Sequence, residues 1–290
     1  MSKVFLVTGS SRGLGRSIAE AVLVAGHRLV ATARTPQQLD DLVARYGDRV
    51  RAVGLDVTDP EAAAAAVQTA AEAFGRLDVV VNNAGYADLA AVEDLTLEAF
   101  RAQIDTNLLG VVIVTKAALP VLRAQGSGHI IQVSSVGGRM ATPGLAAYQA
   151  AKWAVGGLSE VLAAEVGPLG IKVTVLEPGG MRTDWAGASM SIPPISGPYD
   201  PTVGVTARRM DGFAEAAAGD PAKVARLVLT VADLDDPPLR LLVGTDAYTY
   251  GTTAWQARLD VDAKWRELST STDHDDASAG QLDPLDAKAG

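Results

Sequence analysis

Tyr148 and Lys152 stand four residues apart in a stretch of helical character, so their side chains share one face. A free phenol, with a pKa of ~10, is a poor proton carrier at neutral pH, and moving it to ~7 takes about 4 kcal/mol of differential stabilisation of the phenolate. A neighbouring ammonium can supply much of that. Ser135 lies thirteen positions before Tyr148, at the end of a strand-like run, where a hydroxyl can hydrogen-bond a substrate oxygen. Together the three groups could protonate a carbonyl. Each half of the pattern also has a plain reading, because Tyr and Lys pairs share helix faces by chance and Ser134 and Ser135 could simply end a strand or cap a turn.

A second constellation is the run Thr8-Gly9-Ser10-Ser11-Arg12-Gly13-Leu14-Gly15, three glycines where an apolar strand turns into a helix. Such a turn needs φ > 0, and backbone without Cβ lets a pyrophosphate approach the free N–H groups and positive dipole end of the helix. A dinucleotide is the natural occupant. A carboxylate about 20 residues on would bind the ribose diol of NAD, whereas an arginine accommodates the 2′-phosphate of NADP. The position here holds Ala33 and Arg34, with Arg12 as a second cation and the nearest acids, Asp40 and Asp41, in the next helix. NADP(H) is therefore the expected cofactor.

The elements that must carry these residues alternate regularly. Strands are predicted over 3–8, 28–33, 50–55, 77–81, 129–134, 171–176 and 239–243, and helices over 13–26, 60–74, 96–125, 145–166 and 221–233. Continuously apolar strands such as 79–81 and 130–133 belong in a parallel sheet covered on both faces. The fold class is thus α/β, a Rossmann-type doubly wound parallel sheet flanked by helices, as a single domain over 1–268. Residues 180–219 break the rhythm with Pro193, Pro194, Pro198 and Pro201 among Trp185, Met190, Ile192, Tyr199 and Phe213, which reads as a substrate lid. The stretch 269–290 has little to bury and reads as a disordered tail.

Composition closes off several other functions. The 290 residues are 48% hydrophobic with a formal net charge of -9, which disfavours nucleic acid and anionic lipid surfaces. With no cysteine and only His27, His129 and His274, neither a disulfide nor a zinc site is expected, so no metal is assigned. No signal peptide or membrane-spanning run is read, and a soluble, cytoplasmic protein is expected.

Taken in order, TGSSRGLG at 8–15, LDVTD at 55–59, NNAG at 82–85, Asn107, SSVGG at 134–138, YQAAK at 148–152 and PGGMRT at 178–183 make residues 3–245 resemble the short-chain dehydrogenase/reductase (SDR) family. The resemblance implies that Ser135 polarises a substrate carbonyl, Tyr148 donates the proton, and Lys152 lowers the tyrosine pKa while holding the nicotinamide ribose. Asn107 would carry a water relaying protons from Lys152. It also implies cofactor contacts from Gly9, Ser11, Arg12, Gly13, Leu14, Gly15 and Arg34, adenine contacts from Asp56 and Val57, and a wall of Asn82, Ala84 and Gly85 beneath the cofactor. Pro178, Gly179 and Thr183 would flank the nicotinamide.

The chain departs from the family pattern after its last strand. Many tetrameric members end there in a short Asp-Gly-Gly segment, whereas this chain continues through Trp255, Leu259, Val261 and Trp265. That puts the tetramer contact in doubt and leaves a homodimer through the helices around 100–125 and 148–166 open, with Trp153 either on that face or packed internally. Met140, Leu145 and Trp185 suggest an apolar pocket for a medium-size or bulky ketone or aldehyde. Glu177, beside Pro178, reads as a solvated or capping carboxylate. The leading expectation is an NADPH-dependent carbonyl reductase. Its alternatives are a secondary-alcohol dehydrogenase working oxidatively with NADP or NAD and a non-catalytic dinucleotide sensor that binds a protein partner.

Overall fold

The computed structural model describes residues 2–183, 185, 187 and 189–283. Its first half is three turns of one theme: β1 (Val4–Val7), α1 (Gly13–Val24), β2 (Arg28–Ala33), α2 (Asp40–Tyr46), β3 (Val50–Gly54), α3 (Pro60–Phe74) and β4 (Val79–Asn82). A two-residue strand, β5 (Ala87–Asp88), precedes α4 (Leu97–Ile104), which runs through a π turn at Asp105–Leu109 into α5 (Gly110–Gln125). Then come β6 (Gly128–Val133), α6 (Ala146–Val166), β7 (Ile171–Pro178), β8 (Met190–Ser191), α7 (Val205–Met210), α8 (Phe213–Ala216), α9 (Pro221–Asp233) and β9 (Arg240–Val243). The chain continues into α10 (Thr245–Lys264), α11 (Arg266–Thr270) and α12 (Ala279–Leu282).

Seven strands form a parallel sheet in the order β3-β2-β1-β4-β6-β7-β9. The chain winds outward from β1 in one direction and then in the other, so the order reverses between β1 and β4, where Val7 sits beside Ala31 on one side and Val81 on the other. A crevice opens beyond the strand ends at such a reversal. Strand parity divides the interior into two cores. Phe5, Val7, Leu29, Ala31, Val79 and Val81 meet Ile18, Val22, Leu23 and Val228 of α1 and α9 on one face. Val4, Leu6, Val30 and Val80 meet Ala66, Val67, Val114, Leu122 and Leu162 of α3, α5 and α6 on the other. The uninterrupted apolar runs in the sequence follow from this, since neither sheet face meets water.

Two helices start where the sequence says they should because their caps are explicit. Asp59 accepts the N–H groups of Glu61 and Ala62, and Asp220 those of Ala222 and Lys223, each with proline in the first turn. The 180–219 segment differs from the long loop that its prolines suggest. It contains α7, α8 and the short turns Gly197–Tyr199 and Asp200–Gly204, because Pro198 and Pro201 stand at turn entries where no N–H is needed, while Pro193 and Pro194 lie in irregular chain. Asp184, Ala186 and Ala188 of this segment, and residues 284–290 of the expected disordered tail, lie outside the described residues. Residues 269–283 include α12, which carries a Ser278–Gln281 capping box, and nearly all are exposed.

Among the described residues, the continuous helix Leu97–Gln125 is long and apolar enough to cross a bilayer by length and composition, an 18-residue window of it reaching a mean hydropathy of 1.5. Its apolar positions Val114, Ala118 and Leu122 are packed into the core beneath the sheet.

Candidate active site

The cleft beyond the strand ends encloses about 720 Å³ and runs from the glycine turn, past Arg34, Asp56 and Val57, to Tyr148 and Lys152. At the first end, Gly9 and Gly13 adopt φ of 69° and 55°, which an L-residue rarely takes up. Gly15 is required for a different reason: a Cβ there would collide with the Gly9 carbonyl and the Asn83 amide. The Asn83 side chain donates to the carbonyls of Thr8 (2.9 Å) and Gly9 (3.3 Å), and the Thr8 hydroxyl accepts the N–H groups of Asn83 and Ala84. Asn83 thus ties the turn to the end of β4. Of the two asparagines in NNAG it is this one that lines the cleft, while Asn82 hydrogen-bonds Thr115 (3.1 Å) and Gln132 (2.9 Å) between strands and is not part of the lining. Sequence reasoning singled out Asn82 and passed over Asn83, although both stand in the same motif.

The N-terminus of α1 faces this end with no side-chain cap and no acidic residue in its first turn. Its free N–H groups and helix dipole suit a pyrophosphate, and the glycine turn leaves room for one. Ser11, Arg12, Leu14, Arg34, Thr35 and Gln38 complete the lining here. Asp41 points elsewhere, pairing with Arg16, which Glu20 also holds at 2.8 Å. Asp56 accepts the Thr58 N–H (3.0 Å) and hydroxyl (2.7 Å), and these bonds, reinforced by Arg34, hold its carboxyl below the usual range. The residues present therefore fit a dinucleotide, and Arg12 and Arg34 bring two cations to the lining.

At the far end Tyr148, 7% exposed, and Lys152, 4% exposed, share the buried face of α6. Burial pushes the Tyr148 phenol up to about 12, outweighing the lowering effect of the Ser135 hydroxyl. Burial also lowers the Lys152 ammonium to about 8. Its Nζ donates to the Val133 carbonyl at 2.9 Å and lies 5.6 Å from the Tyr148 ring centroid. The phenol is thus held protonated, whereas the spacing argument expects it to be pulled down by the ammonium; desolvation is the larger effect. Ser135 accepts the Gly137 N–H at 3.0 Å, and Ser134 donates to the Lys152 carbonyl at 3.2 Å; of the two it is Ser134 that lines the cleft, while the Ser135 hydroxyl acts on the Tyr148 phenol.

Asn107 is fully buried in the π turn. Its carboxamide donates to the carbonyls of Tyr86 (2.9 Å) and Gln103 (3.0 Å) and accepts the Tyr86 N–H (3.2 Å). A Cβ on Gly85 would lie 2.5 Å from the Asn107 oxygen and 3.7 Å from Lys152 Nζ, so Gly85 is the opening through which these two groups converge. Pro178 and Gly179 do not line the cleft; they end β7 behind it, and Met181 and Thr183 provide the lining there.

Trp185 closes this end from the 180–219 segment. Its ring lies 5.4 Å from Tyr148 and 6.3 Å from Phe213, and Leu145, Met190, Ile195 and Tyr199 fill the same small cluster. The parallel pair β5–β8 fastens the segment to the residues that follow NNAG. Asp88 in that pair lines the cleft, and burial raises its carboxyl.

Glu177 is neither solvated nor a cap. It is fully buried between Arg139 and Arg240, with Nε contacts of 2.7 and 3.2 Å, and Arg240 reaches on to Glu160 at 2.8 Å. Two arginines make that burial tolerable, since an unpaired charge there would cost several kcal/mol. Trp153 is half covered by the Arg258 guanidinium of α10, 4.5 Å from its ring centroid.

The short chain dehydrogenase family profile matches residues 3–191. The chain is 55% identical over 273 residues to "Oxidoreductase BOA17" of Botryotinia fuckeliana, covering 94% of this chain and all of that protein. A crystal structure of a short-chain dehydrogenase from Streptomyces avermitilis is 39% identical with a TM-score of 0.87, covering 94% of this chain and 98% of that one. An alcohol dehydrogenase from the archaeon Thermococcus sibiricus, complexed with 5-hydroxy-NADP, is 29% identical with a TM-score of 0.70, covering 84% of this chain and 96% of that one.

Proposed function

The chain belongs to the short-chain dehydrogenase family, and from that premise we propose that it is an NADPH-dependent reductase of medium-size or bulky apolar ketones or aldehydes. The observation that carries this reading is the placing of Tyr148 and Lys152 on one buried helix face at the closed end of a cleft whose other end is a glycine turn flanked by Arg12 and Arg34. The nicotinamide supplies the hydride when bound. Ser135 and Tyr148 offer hydrogen bonds to the carbonyl oxygen, and Tyr148 Oη passes its proton there as negative charge develops. Lys152 is poised to stabilise the phenolate left behind, and Asn107, converging on Lys152 beside Gly85, suits a route for the proton that restores it. Trp185, Leu145 and Met190 exclude water from the reacting carbon and favour an apolar substituent. The 180–219 segment serves as the substrate lid of a single catalytic domain. The same residues would run the oxidation of a secondary alcohol in reverse.

The test is a panel of aromatic ketones, steroids, aldehydes and keto esters, followed by nicotinamide absorbance. Tyr148→Phe is expected to lower kcat by about 10²–10⁴ while NADPH still binds; undiminished turnover would overturn the assignment. Initial rates with the two reduced cofactors test the arginines. A clear preference for NADH would remove the role given to Arg34.

A further inference from the structure

The wall of the cleft beside Tyr148 carries Met181, Thr183 and Trp185, and it starts from a turn, Gly179–Gly180, whose Gly179 N–H donates to the Val243 carbonyl at 3.0 Å and whose Gly180 carbonyl accepts the Gly219 N–H at 3.0 Å. The Gly180 N–H donates to Asp246 Oδ2 at 2.7 Å, reaching across to the first turn of α10. A Cβ on Gly179 would overlap both Asp246 carboxylate oxygens, and one on Gly244 would lie 2.8 Å from Oδ1. Gly179 is not in the left-handed region, so its φ places no demand for glycine; the approach of the carboxylate does. Backbone on three sides is thus shaped around this one side chain. An acid in the first turn of a helix is ordinarily explained by the helix dipole. Here the carboxylate is turned outward to another segment, in a charge-assisted bond stronger than a neutral one. The helix makes a second contact nine residues later, where Trp255 stacks on the Arg139 guanidinium at 5.9 Å. Arg139 follows the turn that Ser135 caps and pairs with Glu177, the residue before Pro178. One helix therefore touches both strand-end loops that bracket Tyr148.

The geometry points to Asp246 as a positioning residue for the nicotinamide end of the cleft, which makes the first turn of α10 part of the site. This rests on the dinucleotide reading above, because the hydride donor must lie against the Tyr148 end. Asp246 touches neither substrate nor cofactor; it adds a charged side-chain hold, beside the backbone bonds to Val243 and Gly219, where the wall carrying Met181, Thr183 and Trp185 begins. Its removal lets that wall drift, and a drift of about 1 Å at the reacting centre costs up to about a hundredfold in rate. The glycine turn meets this wall where Gly13 faces Thr183, but it keeps its own hydrogen bonds to the end of β4.

The experiment compares wild type, Asp246→Ala and Asp246→Asn on two binding measurements and one rate. Nicotinamide fluorescence of bound NADPH reports how firmly the ring is held. The affinity for the nicotinamide-free fragment, 2′,5′-ADP, or ADP if the wild type prefers NADH, reports the glycine-turn end. Asp246→Ala is expected to lose at least half of the fluorescence enhancement and to lower kcat by about tenfold or more, with fragment affinity within about twofold of wild type. Asp246→Asn, which keeps an acceptor for the Gly180 N–H, should recover most of the enhancement. Full enhancement in Asp246→Ala, or a parallel fall in fragment affinity, overturns the positioning role. A wild type that binds neither dinucleotide overturns the proposed function itself and this role with it.

Discussion

The glycine turn and the 180–219 segment face each other across one cleft and are built by opposite means. The turn is specified by backbone: positive φ at Gly9 and Gly13, a contact at Gly15 too close for any side chain, and the Asn83 and Thr8 hydrogen bonds that lock it to β4. The segment opposite rests on apolar contact, Trp185 on Tyr148 and Phe213, and its polar fastenings are side-chain and short-strand bonds: the β5–β8 pair, the Met181–Gly219 bridge, Ser196 to Asp94, Tyr199 to Glu93 and Gly180 to Asp246. Backbone geometry admits few alternatives, whereas a cluster of Met, Ile, Trp and Tyr side chains can repack around guests of different shape. The end that must fit an invariant dinucleotide is thus rigid by construction, and the end that must choose a substrate is adjustable.

The strongest attack on this contrast is Gly15→Ala. The added methyl meets a carbonyl and an amide that have nowhere to move, so the turn must open. Loss of stability by about 3 kcal/mol and a fall of more than a hundredfold in dinucleotide affinity are expected, read by urea unfolding and by NADPH titration. An alanine variant that still binds NADPH tightly would mean that the turn is as adjustable as the lid.

Lys152→Met probes the boundary between the two regions through pH. Burial lowers the folded-state pKa of Lys152 from 10.5 to about 8, so below pH 8 both states are protonated and the folded state carries the cost of the buried ammonium. As pH rises from 8 to 10.5 the folded protein releases that proton before the unfolded chain does, and the cost is relieved. Wild type should gain on the order of 3 kcal/mol relative to Lys152→Met across this window, seen as converging urea midpoints. Parallel midpoints would show that the ammonium is solvated in the folded protein. At neutral pH the variant should be the more stable of the two and nearly inactive.

Trp185→Ala should act on choice of substrate more than on stability. Because its ring is only partly buried, the loss of stability should stay near 1 kcal/mol, while kcat/KM for bulky apolar ketones falls by about tenfold and small aldehydes are less affected. An equal fall for every substrate would assign Trp185 to the catalytic group rather than to an adaptable wall.

The same contrast explains what the sequence disclosed. Gly9, Gly13 and Gly15, the Asp59-Pro60 and Asp220-Pro221 helix starts, and the parity of the apolar strands are local rules, and local rules are legible in one chain. The spacing of Tyr148, Ser135 and Lys152 marks them as a set, but the direction of the Tyr148 shift is not legible there, because the apolar cluster that buries the phenol includes Leu89, Trp185 and Val203 from distant segments. Glu177 was misjudged for the same reason: its partners Arg139 and Arg240 lie 38 and 63 residues away along the chain. Asp246 was passed over because an acid in a first helical turn has an ordinary explanation, and only its approach to Gly179 removes it.

The smallest effect is expected where the chain beyond β9 stops contributing, and it separates two parts of that extension. The residues of α10 carry Asp246, Trp255 and Arg258 into contact with the body of the protein. From Ser271 to Leu282 the backbone bonds are local, Ser271 to Glu267, Asp273 to Thr270, Ala277 to His274 and Gln281 to Ser278, and the side chains are almost all exposed. Such a stretch buries too little to shift the folding equilibrium. Removing residues 271–290 should change the unfolding free energy by less than about 0.5 kcal/mol and leave NADPH affinity within about twofold. A larger loss would place a contact of this tail on the body or on a second copy of the chain, and measuring the variant at two protein concentrations tells those apart, since only the second depends on concentration.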